Sequence, residues 1–531
     1  MAVLVEKMPE SPQLVAVLPP IWPMSYRHSS LKYSKSWMRL VHQTPSLPMK
    51  REYLPISALA AWTRLNCVEF HDVEVTQLPA KDGIDKGCGI VATAKKSTGG
   101  LGPEAEIEPQ VLMTIPSELL LSLELVETCA KTDRHLKEVL DSMRDYAMVC
   151  ILSLARQCRF LGRRSRGAIL LFLLVHISYS DPDLSSKEHI KVSNAWTEYI
   201  KFLPASYSLP TLYTIEEREL LRGTSLELAL DSKILSLEKE FDQLREATTD
   251  ISWCDRDWWN EDTGRLTFED WKLVDAMYRS RALEFPGKGH SMVPCIDMVN
   301  HASGGRPSAL YETDENGNAV LQLRRGQRLE VGDEITITYG DAKGASEMVF
   351  SYGFLDSGST NARQLFLDLD IPADDPLRPA KIAVCNTTPG FRLFIAPGSD
   401  VTDWESSFVW WCCVNEEDGL EFRVVQSNQG ERELKVSWKG TNVTSSESLL
   451  DQLKADRMWG VFQLRAVVIL QDRMQGQLAQ LRSNDEYVQR WLEYVDGRVI
   501  RQSKLQLLDT EAVRSYLITQ NPGADIAEDF S

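Results

Sequence analysis

Apolar and polar residues alternate in two separated stretches of the chain, and between and beyond them the period lengthens to that of a helix. SALAAWTRL (57–65) predicts a short helix leading into the alternating CVEFHDVEV and then, past Gly87-Cys88-Gly89, into the strand IVATA. VLMTIP (111–116) reads as a further strand, and the intervening 97–110, STGGLGPEAEIEPQ, breaks every period and reads as a surface loop. From about Leu119 to Tyr278 apolar residues recur every three to four positions. Met143, Ala147, Cys150, Leu154 and Cys158 form one stripe, and Ile234, Leu237, Phe241 and Leu244 another. Alternation returns after Phe285 in MVPCIDMV, ALYET, AVLQLRR and EITITY, with Asp314-Glu315-Asn316-Gly317 as a tight turn. Past Asp356 a mixed segment precedes a helical stripe of Leu464, Val467, Val468, Met474, Leu478 and Leu481, continued by Tyr487, Trp491 and Val495.

These periods predict an α+β protein. Its 531 residues exceed what one core ordinarily holds, about 250 to 300 residues. The expected division is a weakly ordered arm over 1–53, a β domain over 54–356 interrupted by a helical insert at about 119–278, and a helical C-terminal domain over 357–531.

Composition adds little to the fold and more to the setting. Apolar residues make up 43% and charged residues 25%, close to a globular average. The ten cysteines are scattered, with no C-x-x-C, and read as reduced thiols. The first thirty residues are too broken by prolines and acids for a secretory signal. The longest apolar run, Ala168 to Ile177, is half the ~20 residues a bilayer needs and reads as a buried helix. Cytoplasm or nucleus, and no membrane, is the expectation. A net charge of −18 disfavours nucleic acid and suits a partner with a basic segment, although acidity also serves plain solubility.

Five short elements carry candidate chemistry, and each alone has an ordinary structural explanation. Gly87-Cys88-Gly89 lets a backbone approach a ligand closely, or is simply a turn. In Val293–His301 an apolar segment ends in Asp297, Asn300 and His301, where an amide offers the donors and acceptor to read an adenine edge; an Asn-His pair is also a common turn and cap. Gly332–Gly340 places Tyr339 at a strand end, and Ser351–Phe354 holds Tyr352 and Phe354; both tyrosines would equally serve as core residues. In Ser280-Arg281 a guanidinium would clamp a carboxylate, though most arginines are surface charges.

Taken in order, GxG, Ile115-Pro116, a helical insert, Ser280-Arg281, VPxxDMxNH, GDEIxxxYG and YGF thirteen residues later resemble the SET-domain methyltransferases over roughly 55–356. The branch resembled is that of the plant Rubisco large-subunit lysine methyltransferase and the fungal ribosomal-protein and elongation-factor lysine methyltransferases. WTEYIKFLP (196–204) and the helical tail also fit it. Two departures stand out: Cys88 between the glycines, and the long 97–110 loop.

The resemblance implies S-adenosyl-L-methionine as cofactor, a protein substrate and a monomer. Lys86, Gly87, Cys88, Gly89, Asp297, Asn300 and His301 would hold the cofactor, Arg281 would pair with its carboxylate, and Tyr339 would serve the chemical step while also touching cofactor. Tyr352 and Phe354 would wall the site, with Leu283, Tyr311 and Tyr352 lining the substrate channel. The C-terminal domain would dock substrate. Lysine is favoured as the target on a non-histone protein, because the histidine-directed members of the branch place an asparagine where this chain has Leu283, and zinc-cluster cysteines are lacking. A SET fold without turnover, serving as a scaffold, is the remaining alternative.

Overall fold

The computed structural model describes residues 49–79, 87–97, 110–152, 165–182, 193–340, 343–355, 364–395, 401–426 and 432–492. Lys86, Leu154, Cys158, Val495, residues 1–48 and most of the 97–110 loop lie outside the described residues. Met49 and Arg51, assigned to the arm by sequence, are buried, and Arg51 donates to the carbonyl oxygens of Leu203 (2.9 Å) and Pro204 (2.6 Å).

Before the insert come β1 (Glu69–Phe70), β2 (Val73–Gln77), β3 (Cys88–Ala92), β4 (Lys96–Ser97) and β5 (Val111–Ile115). After it come β6 (Leu283–Phe285), β7 (Gly289–Ser291), β8 (Asn300–His301), β9 (Ala309–Thr313), β10 (Ala319–Leu323), β11 (Arg328–Leu329) and β12 (Glu334–Ile337). One sheet has the order β1-β5-β10-β9 and another β2-β3-β12-β8, so each interleaves strands from both sides of the insert. Leu112, Met113 and Ile115 of β5 and Ile335 and Ile337 of β12 are buried, each contributing about 2 kcal/mol of apolar burial. β12 pairs antiparallel with β3 and parallel with β8, and that one parallel pairing lays Asn300 beside Thr336 and His301 beside Ile337.

The insert packs around the helix Ser165–Ser180, whose residues from Gly167 onward are all buried. Being apolar on every face, it belongs in a core. His176 sits in that helix among Phe172, Tyr179 and Thr197, and burial pushes its pKa down to about 3. The helix Phe268–Arg281 begins at Thr267, whose hydroxyl caps Asp270 N–H at 3.3 Å while the Asp270 carboxylate returns to Thr267 N–H at 2.8 Å. It buries Trp271, Val274 and Met277 and delivers Arg279 and Arg281 at its end. Arg279 then reaches the Phe350 carbonyl and Thr211 Oγ1, both at 2.8 Å, fastening the helix Ala345–Tyr352.

One local expectation differs. Met292–Val299 is not a strand: after β7 the chain passes Pro294, which has no N–H for a ladder, and Cys295 takes a left-handed φ of 68°. A single helical turn, Ile296–Met298, then leads into β8.

The mixed segment past 356 holds two three-stranded sheets, β13 (Gln364–Asp368), β14 (Gly390–Ile395) and β15 (Thr402–Glu405), then β16 (Leu420–Gln426), β17 (Arg432–Trp438) and β18 (Thr441–Val443). The helices Ser446–Lys454 and Trp459–Leu492 follow, and Phe462, Ala466, Leu470, Met474 and Leu478 pack with these sheets in a core separate from that of the first domain. The long helix clasps the insert: Gln477 Nε2 donates to the Gly223 carbonyl, and Asn484 Nδ2 to that of Arg222 at 2.6 Å. Among the described residues no helix is long and apolar enough to cross a membrane.

Candidate active site

The turn between Cys295 and His301 is built from beneath. Tyr199, on the insert helix Ala195–Tyr199, donates its hydroxyl to Asp297 Oδ1 and accepts the Cys295 N–H at 2.8 Å. Arg281 supplies the other side, with Nη1 3.0 Å from the Asp297 carbonyl and 3.1 Å from Oδ2. The Asp297 carboxylate is fully enclosed, and burial raises its pKa despite the opposing pull of Arg281 and Tyr199. Arg281 is therefore already engaged inside the protein. Its Nε and the neighbouring Tyr207 hydroxyl are buried without a well-formed hydrogen bond, while the two groups interact electrostatically.

On top of this turn, Asn300 ties β8 to β3. Its amide donates to Glu334 Oε1 at 2.9 Å and more weakly to the Cys88 carbonyl at 3.4 Å, which occupies both donors. Gly89 permits that approach, since a Cβ there would stand 3.0 Å from Asn300 Nδ2 and 2.6 Å from Leu78 Cδ1. Gly87, at φ 70°, faces open space on the side where a Cβ would point.

Tyr339 is held by three polar groups at once. Its N–H donates to His301 Nδ1 at 3.0 Å, which makes Nδ1 the accepting nitrogen. Its hydroxyl donates to the Val299 carbonyl at 2.7 Å, and its own carbonyl accepts from Lys343 Nζ at 2.8 Å. Desolvation lifts the phenol above its ordinary pKa, so it remains protonated at neutral pH. The rings of Tyr352 and Phe354 lie 4.6 and 6.3 Å from that of Tyr339, and His301 is 6.0 Å from Phe354.

The structure thus gathers Cys88, Gly89, Asn300, His301, Tyr339, Tyr352 and Phe354 into one cluster over the Asp297–Arg281 pair. Tyr311 of β9 stacks on Phe285 at 5.0 Å, and burial, with Tyr352 and Glu284 beside it, raises its pKa. Leu283 opens β6 opposite Ser291 and packs against the main core. Sequence reasoning missed Tyr199, Tyr207, Glu334 and Lys343. Tyr199 lay in the WTEYIKFLP segment and Glu334 in GDEIxxxYG, so both carried a signal, whereas Tyr207 and Lys343 carried none.

Comparison with known proteins bears on this arrangement. No protein-family profile matches the chain. SET domain-containing protein 8 of Schizosaccharomyces pombe is 30% identical over 235 residues, 44% of this chain and 51% of that protein. The chloroplastic [fructose-bisphosphate aldolase]-lysine N-methyltransferase of Arabidopsis thaliana is 23% identical over 207 residues (38% and 42%), and the actin-histidine N-methyltransferase of Mus musculus 22% over 266 (47% and 43%). The matched stretches thus span about half the length of these curated relatives or less. The SET domain of LSMT, solved bound to lysine and AdoHcy, superposes with a TM-score of 0.55 over 88% of this chain and 92% of that one, at 16% identity.

The chain has the SET-domain fold. Within this SET domain, Asn300 and His301 form the strand that runs parallel to β12, and Tyr339 lies just beyond β12.

Proposed function

We propose that this SET-fold protein is an S-adenosyl-L-methionine-dependent methyltransferase acting on a lysine of a non-histone protein. The observation that carries this reading is Tyr339, pinned through N–H, hydroxyl and carbonyl beside the Asn300-His301 turn and next to Tyr352. The residues suit such a cofactor: at Gly87 the side where a Cβ would point is open, and the buried Arg281 guanidinium has only the Tyr207 hydroxyl interacting on its Nε side. The Gly87–Gly89 backbone, Asn300 and His301 would hold it, with Arg281 pairing with its carboxylate. When bound, it would supply a methyl group on a positively charged sulfur.

The protein's task is to present a neutral amine in line. A lysine of pKa about 10.4 is neutral roughly once in 10³ at pH 7.4, a cost of about 4 kcal/mol. Alignment of the reacting atoms is worth on the order of 7 to 11 kcal/mol, so positioning outweighs that cost without a strong base. Tyr339, protonated and directed by the Val299 carbonyl, orients the amine; Tyr352 and Phe354 exclude water from its path. The apolar Leu283 offers no hydrogen bond to an imidazole, which favours lysine over histidine.

The wider assignment follows the same reading. The C-terminal sheets and long helix would dock a protein partner, and the net charge of −18 suits one with a basic segment. The described cysteines are free thiols, which supports a reducing compartment, the cytoplasm or nucleus.

The test is incubation of the protein and labelled cofactor with a proteome lacking it, followed by mass spectrometry of the labelled band. Methyllysine supports the proposal. Methylhistidine moves it to the other target, and absence both of label and of calorimetric cofactor binding leaves a scaffold.

A further inference from the structure

Lys343 stands at the site, yet no motif singled it out. It precedes the helix Ala345–Tyr352, and its ammonium donates to two acceptors: the Tyr339 carbonyl at 2.8 Å and the Tyr352 hydroxyl oxygen at 3.2 Å. The same ammonium lies 5.3 Å from the centre of the Tyr352 ring, within cation–π range. Its methylene stem fills the space beside Gly340, where a Cβ would meet Cγ, Cδ and Cε all at 3.3 Å; Gly340 itself adopts φ 130°, which strains any other residue.

These contacts define a brace. Tyr339 ends the segment that follows β12, Tyr352 ends a helix, and their rings are 4.6 Å apart. An ammonium has three protons and no acceptor, so both tyrosine oxygens must accept from it, and one group ties the backbone of the first tyrosine to the side chain of the second. The remaining restraints on Tyr339 come from elsewhere, from His301 and Val299. For Tyr352, among the described residues, the Lys343 bond is the one that bears on its hydroxyl.

We propose that Lys343 is a positioning residue for the methyl transfer: by bridging the Tyr339 carbonyl and the Tyr352 phenol it fixes the spacing of the two tyrosines that flank the reacting groups. The role rests on the methyltransferase reading above. Lys343 acts through the two tyrosines it contacts. A displacement of about 1 Å at such a site costs on the order of 10²-fold in rate, so loss of the brace acts on turnover rather than on cofactor affinity.

The experiment compares wild type, Lys343→Met, which keeps the stem without the charge, and Lys343→Arg, which keeps a donor. The substrate is the protein labelled in the proteome experiment, and calorimetry with S-adenosyl-L-homocysteine reports the cofactor site. The expected result is a kcat for Lys343→Met lower by about 10- to 100-fold, cofactor affinity and melting temperature near wild type, and partial recovery of kcat in Lys343→Arg. The role is overturned by wild-type kcat in Lys343→Met, by parallel loss of kcat, affinity and melting temperature, or by Lys343→Arg performing no better than Lys343→Met. A silent wild type removes the activity and this role together, whereas an active wild type matched by Lys343→Met removes the role alone.

Discussion

The hydroxyl of Tyr199 is hydrogen-bonded to the carboxylate of Asp297, 98 residues further along the chain, and joins the helical insert to the turn that bears Asn300 and His301. The same oxygen accepts the N–H of Cys295, whose backbone is left-handed at φ 68°. Tyr199→Phe leaves that N–H unsatisfied and strips a donor from a buried carboxylate, for a loss of about 2 to 4 kcal/mol of stability. Urea denaturation measures this; a change below about 0.5 kcal/mol, the usual range for a surface substitution, would mean that the bond is dispensable.

Tyr339→Phe removes one hydroxyl and keeps the ring contacts to Tyr352 and His301. Transfer is expected to fall by at least about 10²-fold, the scale of losing one group that stabilises the transition state. Cofactor affinity, measured by calorimetry, should stay near wild type, because the Gly87–Gly89 backbone and Asn300 are untouched. Undiminished turnover removes Tyr339 from the chemical step.

Gly89→Ala and Gly87→Ala separate crowding from backbone strain. At Gly89 the new methyl presses on Leu78 and Asn300, costing about 1 to 3 kcal/mol and shifting the Asn300 amide, so cofactor affinity falls by about tenfold or more. At Gly87 there is space, and the cost is the left-handed backbone alone, about 1 to 2 kcal/mol. Equal affinities in the two variants would contradict the packing of Asn300 on Gly89.

His176 makes the fold acid-sensitive. Its pKa is depressed from 6.5 to about 3 by burial, so the unfolded chain takes up the proton first as pH falls. The stabilisation is fully present above about pH 6.5 and is lost progressively down to about pH 3, amounting to about 2 kcal/mol already at pH 5. Urea midpoints at pH 7.5 and 5.0 should therefore differ more in wild type than in His176→Gln. An identical difference in both would exclude His176 as the source.

Much of this protein is local and hence legible in its sequence. Strand and helix periods follow from backbone geometry, so Ser165–Ser180, Trp459–Leu492 and the longer first-domain strands β2, β3, β5, β9, β10 and β12 were visible, as were Gly87–Gly89, Asn300-His301 and Tyr339-Gly340, whose members are chain neighbours; the six strands past 356 were not. The turn at Cys295 was not, because alternation of apolar residues looks the same in a strand as in a buried loop that Pro294 keeps from pairing. The tertiary structure alone decided that β8 lies parallel to β12, that Arg281 turns to Asp297, that Tyr199 supports it from the insert, and that Lys343 bridges two tyrosines. Such partners are chosen by the direction of side chains and the desolvation of their polar atoms. Spacing along the chain encodes neither until the two sheets and the insert have closed on one another.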